Sequence, residues 1–211
     1  MFNPNRILVL APHTDDGELG CGGTIAKFCA EGKEVFYAAF SDCQKSLAAG
    51  LAPDTLKNEC KNATELLRIK EANLIFFDFD VRTFPEHRQS ILEELVNLNK
   101  SIQPDLVFTP ASQDVHQDHG VIHAESIRAF KYCSILGYEL PWNNFSFNSD
   151  FFIRLSEKSI QAKIDSLGAY ASQSHRSYFK KDFLLSLAKV RGVQAGSEYA
   201  EAFESIRLIT R

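Results

Sequence analysis

Two short stretches of this chain carry side chains able to do metal chemistry: Pro12-His13-Thr14-Asp15-Asp16 and, about a hundred positions later, His116-Gln117-Asp118-His119. Imidazole nitrogen combined with carboxylate oxygen suits zinc, and a catalytic zinc site typically takes three protein ligands and leaves one position open to water. His13, Asp16 and His119 supply such a set, for one ion per chain. Only one of the two adjacent carboxylates is needed on the metal, so Asp15 is free to act as general base toward the water. His116, three residues before His119, is expected on the same side of a helical turn, where it could stabilise an oxyanion or protonate a leaving amine. Asp118, or Asp114 upstream, could orient and charge His116 from behind. His123 imitates a helical metal pair with His119 but is expected to face along the helix, away from the metal. Ligand type does not fix metal identity, so ferrous iron is an alternative occupant.

Each motif alone has an ordinary structural reading. An Asp pair after a strand is commonly a turn or a helix cap, and a histidine near a loop is commonly a surface or hydrogen-bonded core residue. The chemical reading therefore depends on the elements that bring the two motifs together. Apolar runs alternate with helix-period stretches from the first residues, which predicts β-α units around a mostly parallel sheet, a three-layer αβα fold in a single domain spanning 1–211. Strands are expected over 7–11, 34–40, 73–77, 106–109 and 151–155, with a last one over 206–209. Helices are expected over 22–31, 53–67, 86–100, 121–133, 157–170 and 182–190, and 134–149 reads as an irregular insertion or hairpin. With right-handed crossovers in the order 3-2-1-4, strands one and four are neighbours and the winding reverses between them. Both motifs follow those two strands, so topology alone predicts that they meet in the crevice where open α/β sheets place ligands.

The bulk properties narrow the function classes. The chain has 211 residues, 45% of them hydrophobic, and a net charge of −4. It has no basic stripe of the kind that phosphate-backbone binding requires, which argues against a nucleic-acid partner. No apolar run approaches the ~20 residues of a membrane span, so no membrane insertion is expected and a cytoplasmic location is. Five cysteines, none in a Cys-x-x-Cys spacing, argue against a disulfide framework and against a thiolate zinc cage. Gly20, Gly22 and Gly23 follow a strand and open a helix, but a dinucleotide fingerprint needs its third glycine at position 25, which is Ile25. They are read as backbone freedom for a tight turn and close helix packing.

Ala11-Pro12-His13-Thr14-Asp15-Asp16, Gly20-Cys21-Gly22-Gly23 and His116-Gln117-Asp118-His119 together resemble the PIG-L or LmbE-like superfamily of zinc N-deacetylases. The resemblance extends to Glu59 with Ala63, to Pro104 through Val107, to Lys163 through Gln173, and to Gly196 through Phe203. It implies a Rossmann-like fold, a zinc ion, and an N-acetylated amino sugar or its conjugate as small-molecule substrate. The chain departs from the pattern at Gly17-Glu18, where the superfamily often has an acidic residue directly after the Asp pair. The superfamily's C-terminal part varies with substrate, so 134–180 is expected to carry substrate contacts, with Trp142, Arg154 and Ser172-Gln173-Ser174-His175 as candidates there and Asp114 upstream, packing being the expected role of Trp142. Two alternatives stay open: a zinc amidase acting on a thiol-conjugate amide or an N-formyl group, and a non-catalytic sugar- or nucleotide-binding module. The sequence leaves homo-oligomer formation open.

Overall fold

The computed structural model describes residues 3–210. They form one seven-stranded sheet in the order β3-β2-β1-β4-β5-β7-β6. Strand β1 (Arg6–Ala11) lies between β2 (Glu34–Ala39) and β4 (Leu106–Pro110), parallel to both, and β3 (Leu74–Phe76) extends the sheet beyond β2. On the other side β5 (Ser134–Tyr138) pairs parallel with β4, β7 (Tyr199–Arg207) runs antiparallel to β5, and β6 (Phe151–Leu155) closes the edge against β7. The expected order 3-2-1-4 is present within the larger sheet.

Helices cover both faces, which explains why the central strands are apolar without interruption. Ile7, Val9 and Ala11 point to one face, where α1 (Asp16–Ala30), α2 (Thr55–Leu66), α5 (Glu157–Gly168) and α6 (Lys181–Ala195) bury their apolar sides. Leu8 and Leu10 point to the other, covered by α3 (Arg88–Ile102) and α4 (Gln117–Ala129). Each such Leu or Ile contributes roughly 1.5–3 kcal/mol by leaving water.

Several elements differ from the sequence expectation. The run 134–138 is not part of an irregular insertion; it is the fully buried strand β5, and irregular chain begins after it. The last strand starts at Tyr199, not at 206, and is the longest in the sheet at nine residues. Helix α4 begins at Gln117 and ends at Ala129, and α1 begins at Asp16, six residues earlier than its apolar period indicates.

Helix α1 is bent at Cys21, whose backbone leaves helical angles (φ −143°, ψ 23°). The break frees backbone groups that two buried side chains satisfy. The Glu201 carboxylate on β7 accepts the amides of Gly23 (3.0 Å) and Thr24 (2.7 Å), and the Lys163 ammonium on α5 donates to the Leu19 carbonyl and to Glu201 (both 2.7 Å). Gly20 sits directly on the Tyr138 ring, where any Cβ would overlap it, so only glycine lets α1 approach β5 this closely. The bend therefore holds the first turn of α1, with Asp15 and Asp16, over the end of β1.

Candidate metal centre

The chain leaves β1 at Ala11 and β4 at Pro110, two adjacent parallel strands, and both histidine-carboxylate motifs follow within a few residues. Three atoms converge there. Asp16 Oδ2 is 3.0 Å from His13 Nδ1 and 3.1 Å from His119 Nε2, and those two nitrogens are 3.2 Å apart. Tetrahedral zinc with ligand bonds of roughly 2.0–2.1 Å places its donors roughly 3.3–3.4 Å from one another, so the triangle fits such an ion within a few tenths of an ångström. A three-imidazole grouping with His116 in place of Asp16 is looser, its ligand atoms spreading over as much as 4.8 Å.

The remaining ring nitrogens are occupied in a way that leaves the converging lone pairs free. His13 Nε2 bonds the Asp118 carboxylate (3.0 Å), and His119 Nδ1 bonds Asp114 Oδ2 (2.8 Å). This is the carboxylate–imidazole pairing that orients metal-binding histidines. Asp118 is fully buried and also receives the backbone amides of Arg82 (2.6 Å) and Phe84 (3.2 Å). Two expectations are corrected here: Asp118 and Asp114 support the rings of His13 and His119, not that of His116. Asp114 still meets His116, but by accepting its backbone amide (2.9 Å), and its buried side chain is not exposed to a substrate.

Electrostatics at the cluster favour positive charge. Burial alone would lower the His119 pKa, but Asp16 and Asp114 outweigh it and hold the ring protonated up to about 10. Burial works against His13 too, yet Asp16 and Asp118 raise it. Burial would raise the Asp16 carboxyl, while the charges of His119 and His13 pull it well below the carboxylate range. A divalent cation meets the same demand, so the donor set and its charge both fit a metal ion.

Asp15 lies beside this triangle and lines the same cavity of about 220 Å³. No other residue donates a hydrogen bond to its carboxylate among the described residues, and burial together with the Asp16 charge pushes its pKa up to about 6. His116 also lines the cavity, but it is not on a helical turn with His119. It is the N-cap of α4 in extended conformation (φ −74°, ψ 126°), and its Nδ1 accepts the Asp118 amide (3.2 Å). That bond fixes a neutral ring with its proton on Nε2, consistent with a pKa lowered to about 4 by burial and by the two neighbouring imidazoles.

Other expected contacts divide. Gln173 lines the cavity, whereas Arg154 does not; its Nε donates to the Ala195 carbonyl (2.9 Å) at the end of α6. His123 turns away and bonds the Pro110 carbonyl (2.8 Å). Trp142 stacks on Tyr178 (3.9 Å between centroids) and lines the cavity as well as packing on the core. Asn143, Arg176 and Tyr178 also line it and were not singled out by spacing, because each comes from a loop or a single 3-10 turn, too short to carry a periodic signal.

The fold and this cluster together define a three-layer α/β protein with a histidine–carboxylate centre at the switch point of its sheet. The chain belongs to the PIG-L (GlcNAc-PI de-N-acetylase) family, whose model matches residues 8–130, a span that includes both motifs. It is 26% identical to the diacetylchitobiose deacetylase of Thermococcus kodakarensis over 95% of this chain and 83% of that protein. Among solved structures it resembles the N,N'-diacetylchitobiose deacetylase of Pyrococcus horikoshii (TM-score 0.80, 21% identity, 96% of this chain and 84% of that one). It also resembles the 4-carboxy-2-hydroxymuconate hydratase of Pseudomonas putida (TM-score 0.77, 19% identity, 98% of each chain). The structural likenesses establish the fold and leave the reaction to the site. No helix of the described residues is long and apolar enough to cross a membrane.

Proposed function

We propose that this protein is a metal-dependent hydrolase that removes the N-acetyl group of an amino sugar, with His13, Asp16 and His119 as ligands of a zinc ion. The observation that carries the reading is the triangle of three donor atoms 3.0–3.2 Å apart with a second carboxylate in the same cavity, Asp15, to which no other described residue donates a hydrogen bond. Membership of a de-N-acetylase family and similarity to a diacetylchitobiose deacetylase support the acetyl group and the sugar. The cavity volume of about 220 Å³ is below the roughly 300–1,000 Å³ typical of drug-sized ligands, which favours one sugar ring at a time.

When bound, a divalent cation supplies Lewis-acid polarisation of the amide carbonyl and lowers the pKa of water. Asp15, whose pKa burial and the Asp16 charge raise to about 6 in the metal-free chain, is ionised at neutral pH and accepts the proton of the attacking water. Holding that proton in a buried setting, Asp15 is then the acid that delivers it to the departing amine. His116 is neutral and donates its Nε2 hydrogen toward the oxyanion; its depressed pKa makes it a hydrogen-bond donor and not the proton source. Asp118 and Asp114 keep the ligand rings aimed, and the 134–180 segment supplies Trp142, Asn143, Gln173, Arg176 and Tyr178 to the substrate side of the cavity.

The test combines elemental analysis with acetate release from a panel of N-acetyl amino sugars, N-formyl sugars and thiol-conjugate amides. We expect one equivalent of zinc, or of ferrous iron, acetate from at least one sugar, and loss of both metal and turnover in His119→Ala. Release of formate or a free thiol conjugate without acetate would move the reading to another amide. Sugar binding without turnover in metal-loaded protein would make it a binding module.

A further inference from the structure

Arg176 lines the cavity and has no carboxylate within 4.0 Å, the limit of an ion pair, among the described residues. Its protein partners are neutral: Nε donates to Gln173 Oε1 (2.7 Å), Nη1 donates to the Tyr178 hydroxyl, and the guanidinium lies 5.7 Å from the Tyr178 ring centre. Among the described residues Nη2 has no hydrogen-bond partner.

The guanidinium is held from behind by a chain of fixed groups. Glu59 on α2 accepts both the backbone amide (2.8 Å) and the hydroxyl (2.5 Å) of Ser172, the Ser172 oxygen accepts Gln173 Nε2 (3.0 Å), and the Gln173 oxygen is thereby turned to Arg176. On its other side Tyr178 is stacked nearly parallel on Trp142 (13° between rings). An exposed planar fork tethered through Nε and Nη1, with Nη2 free and no carboxylate within ion-pair distance among the described residues, is suited to a carboxylate or phosphate.

We propose that Arg176 makes the site selective for N-acetylated monosaccharides that carry an anionic substituent, with the sugar lying against the Trp142–Tyr178 pair. This rests on the reading of the cavity as the substrate site. A purely structural clamp on the turn around 171–179 predicts no charge preference, and that difference is measurable.

Trp142 is the single tryptophan of the chain, so intrinsic fluorescence reports binding in this cavity without any need for turnover. Zinc-loaded protein is titrated with N-acetylglucosamine, its 1-phosphate and 6-phosphate, N-acetylglucosaminuronic acid, and inorganic phosphate. At least one anionic sugar should bind about tenfold more tightly than the neutral one, the increment of a single good charge-assisted hydrogen bond. Preference for a phosphate ester over the uronic acid, or the reverse, identifies the anion. Arg176→Gln should bring the anionic-to-neutral affinity ratio close to one, and Arg176→Lys, which keeps charge but loses the planar fork, should keep part of it. Equal affinities in the unsubstituted protein, or an anion preference that persists in Arg176→Gln, overturns the proposal; the second result places the anion on the metal ion. Charge preference in binding with no acetate released from any sugar leaves this inference standing while the deacetylase reading fails. Acetate release with no charge preference does the opposite.

Discussion

Asp15 takes its chemical character from its surroundings. Burial and the adjacent Asp16 charge keep its carboxyl protonated up to about pH 6, which leaves it ionised at neutral pH yet more basic than a free carboxylate. In metal-free protein its carboxyl carbon should titrate near pH 6 by NMR, and zinc, a nearby positive charge, should move that midpoint down; a midpoint of 4 without metal would contradict the assigned environment. Asp15→Asn should retain full metal content and lose about 10²–10⁴-fold in kcat, the span typical of a positioned general base. Asp118→Asn should act differently, weakening metal affinity by about 10–100-fold in a zinc-chelator competition, because it frees the His13 ring without touching the metal. The residue types of the site were legible in the sequence and their pairing was not. Asp118 and His119 are neighbours in the chain, but successive helical residues point about 100° apart. Asp118 therefore reaches His13, 105 positions away, while His119 takes Asp114. No spacing rule contains that exchange.

At the scale of elements, the sequence showed the alternation of strands and helices and the meeting of β1 with β4. It did not show β5, since Ser-Ile-Leu-Gly-Tyr lacks a period, contains a glycine and runs into Pro141 and two asparagines. That glycine is needed by the sheet: a Cβ at Gly137 would lie 2.9 Å from the Ala111 backbone, just past the end of β4. The early start of α1 was hidden for a related reason. Its first turn is Asp-Gly-Glu-Leu-Gly, a poor helix by propensity, and it is kept in place by the Tyr37 hydroxyl on β2, which accepts the Gly17 amide, and by the Lys163 ammonium on α5, which donates to the Leu19 carbonyl. Lys163→Met leaves Glu201 charged and buried without its partner, which should cost about 3 kcal/mol, the lower end for a broken buried pair because the Gly23 and Thr24 amides still stabilise the carboxylate. Urea unfolding measures this through a lower midpoint at unchanged slope. In a Glu201→Gln background the same substitution should cost clearly less; equal costs in both backgrounds would show that the two side chains are not coupled.

For the whole molecule, the metal-free fold is a net proton binder across neutral pH. Glu18, buried between the Tyr37 and Tyr170 hydroxyls, has its pKa raised by burial to about 8, against 4.5 for the ordinary group. His119 is held at about 10 against 6.5, with burial opposed and outweighed by Asp16 and Asp114. Between pH 6.5 and 8 the folded chain retains these protons and the unfolded chain has shed them, so stability must fall as pH rises, by up to about 1.4 kcal/mol per pH unit for each proton. The contribution of Glu18 is complete below 4.5 and gone above 8, and that of His119 is complete below 6.5 and persists until pH approaches 10. Zinc changes one and not the other. A metal on His119 Nε2 displaces that proton, so apparent metal affinity should climb with pH, and the ion stabilises the fold by about 2.7 kcal/mol at a hundred times its Kd. Thermal melts at pH 6.5, 7.2 and 8.0 should therefore show a steep decline with chelator, a shallower one with saturating zinc, and with zinc in Glu18→Gln almost none. The three slopes separate the two groups: a chelator-treated protein whose stability declines no more steeply than the zinc-loaded one would remove the proton from His119, and a zinc-loaded Glu18→Gln that keeps the shallow decline would place the second proton on a group other than Glu18.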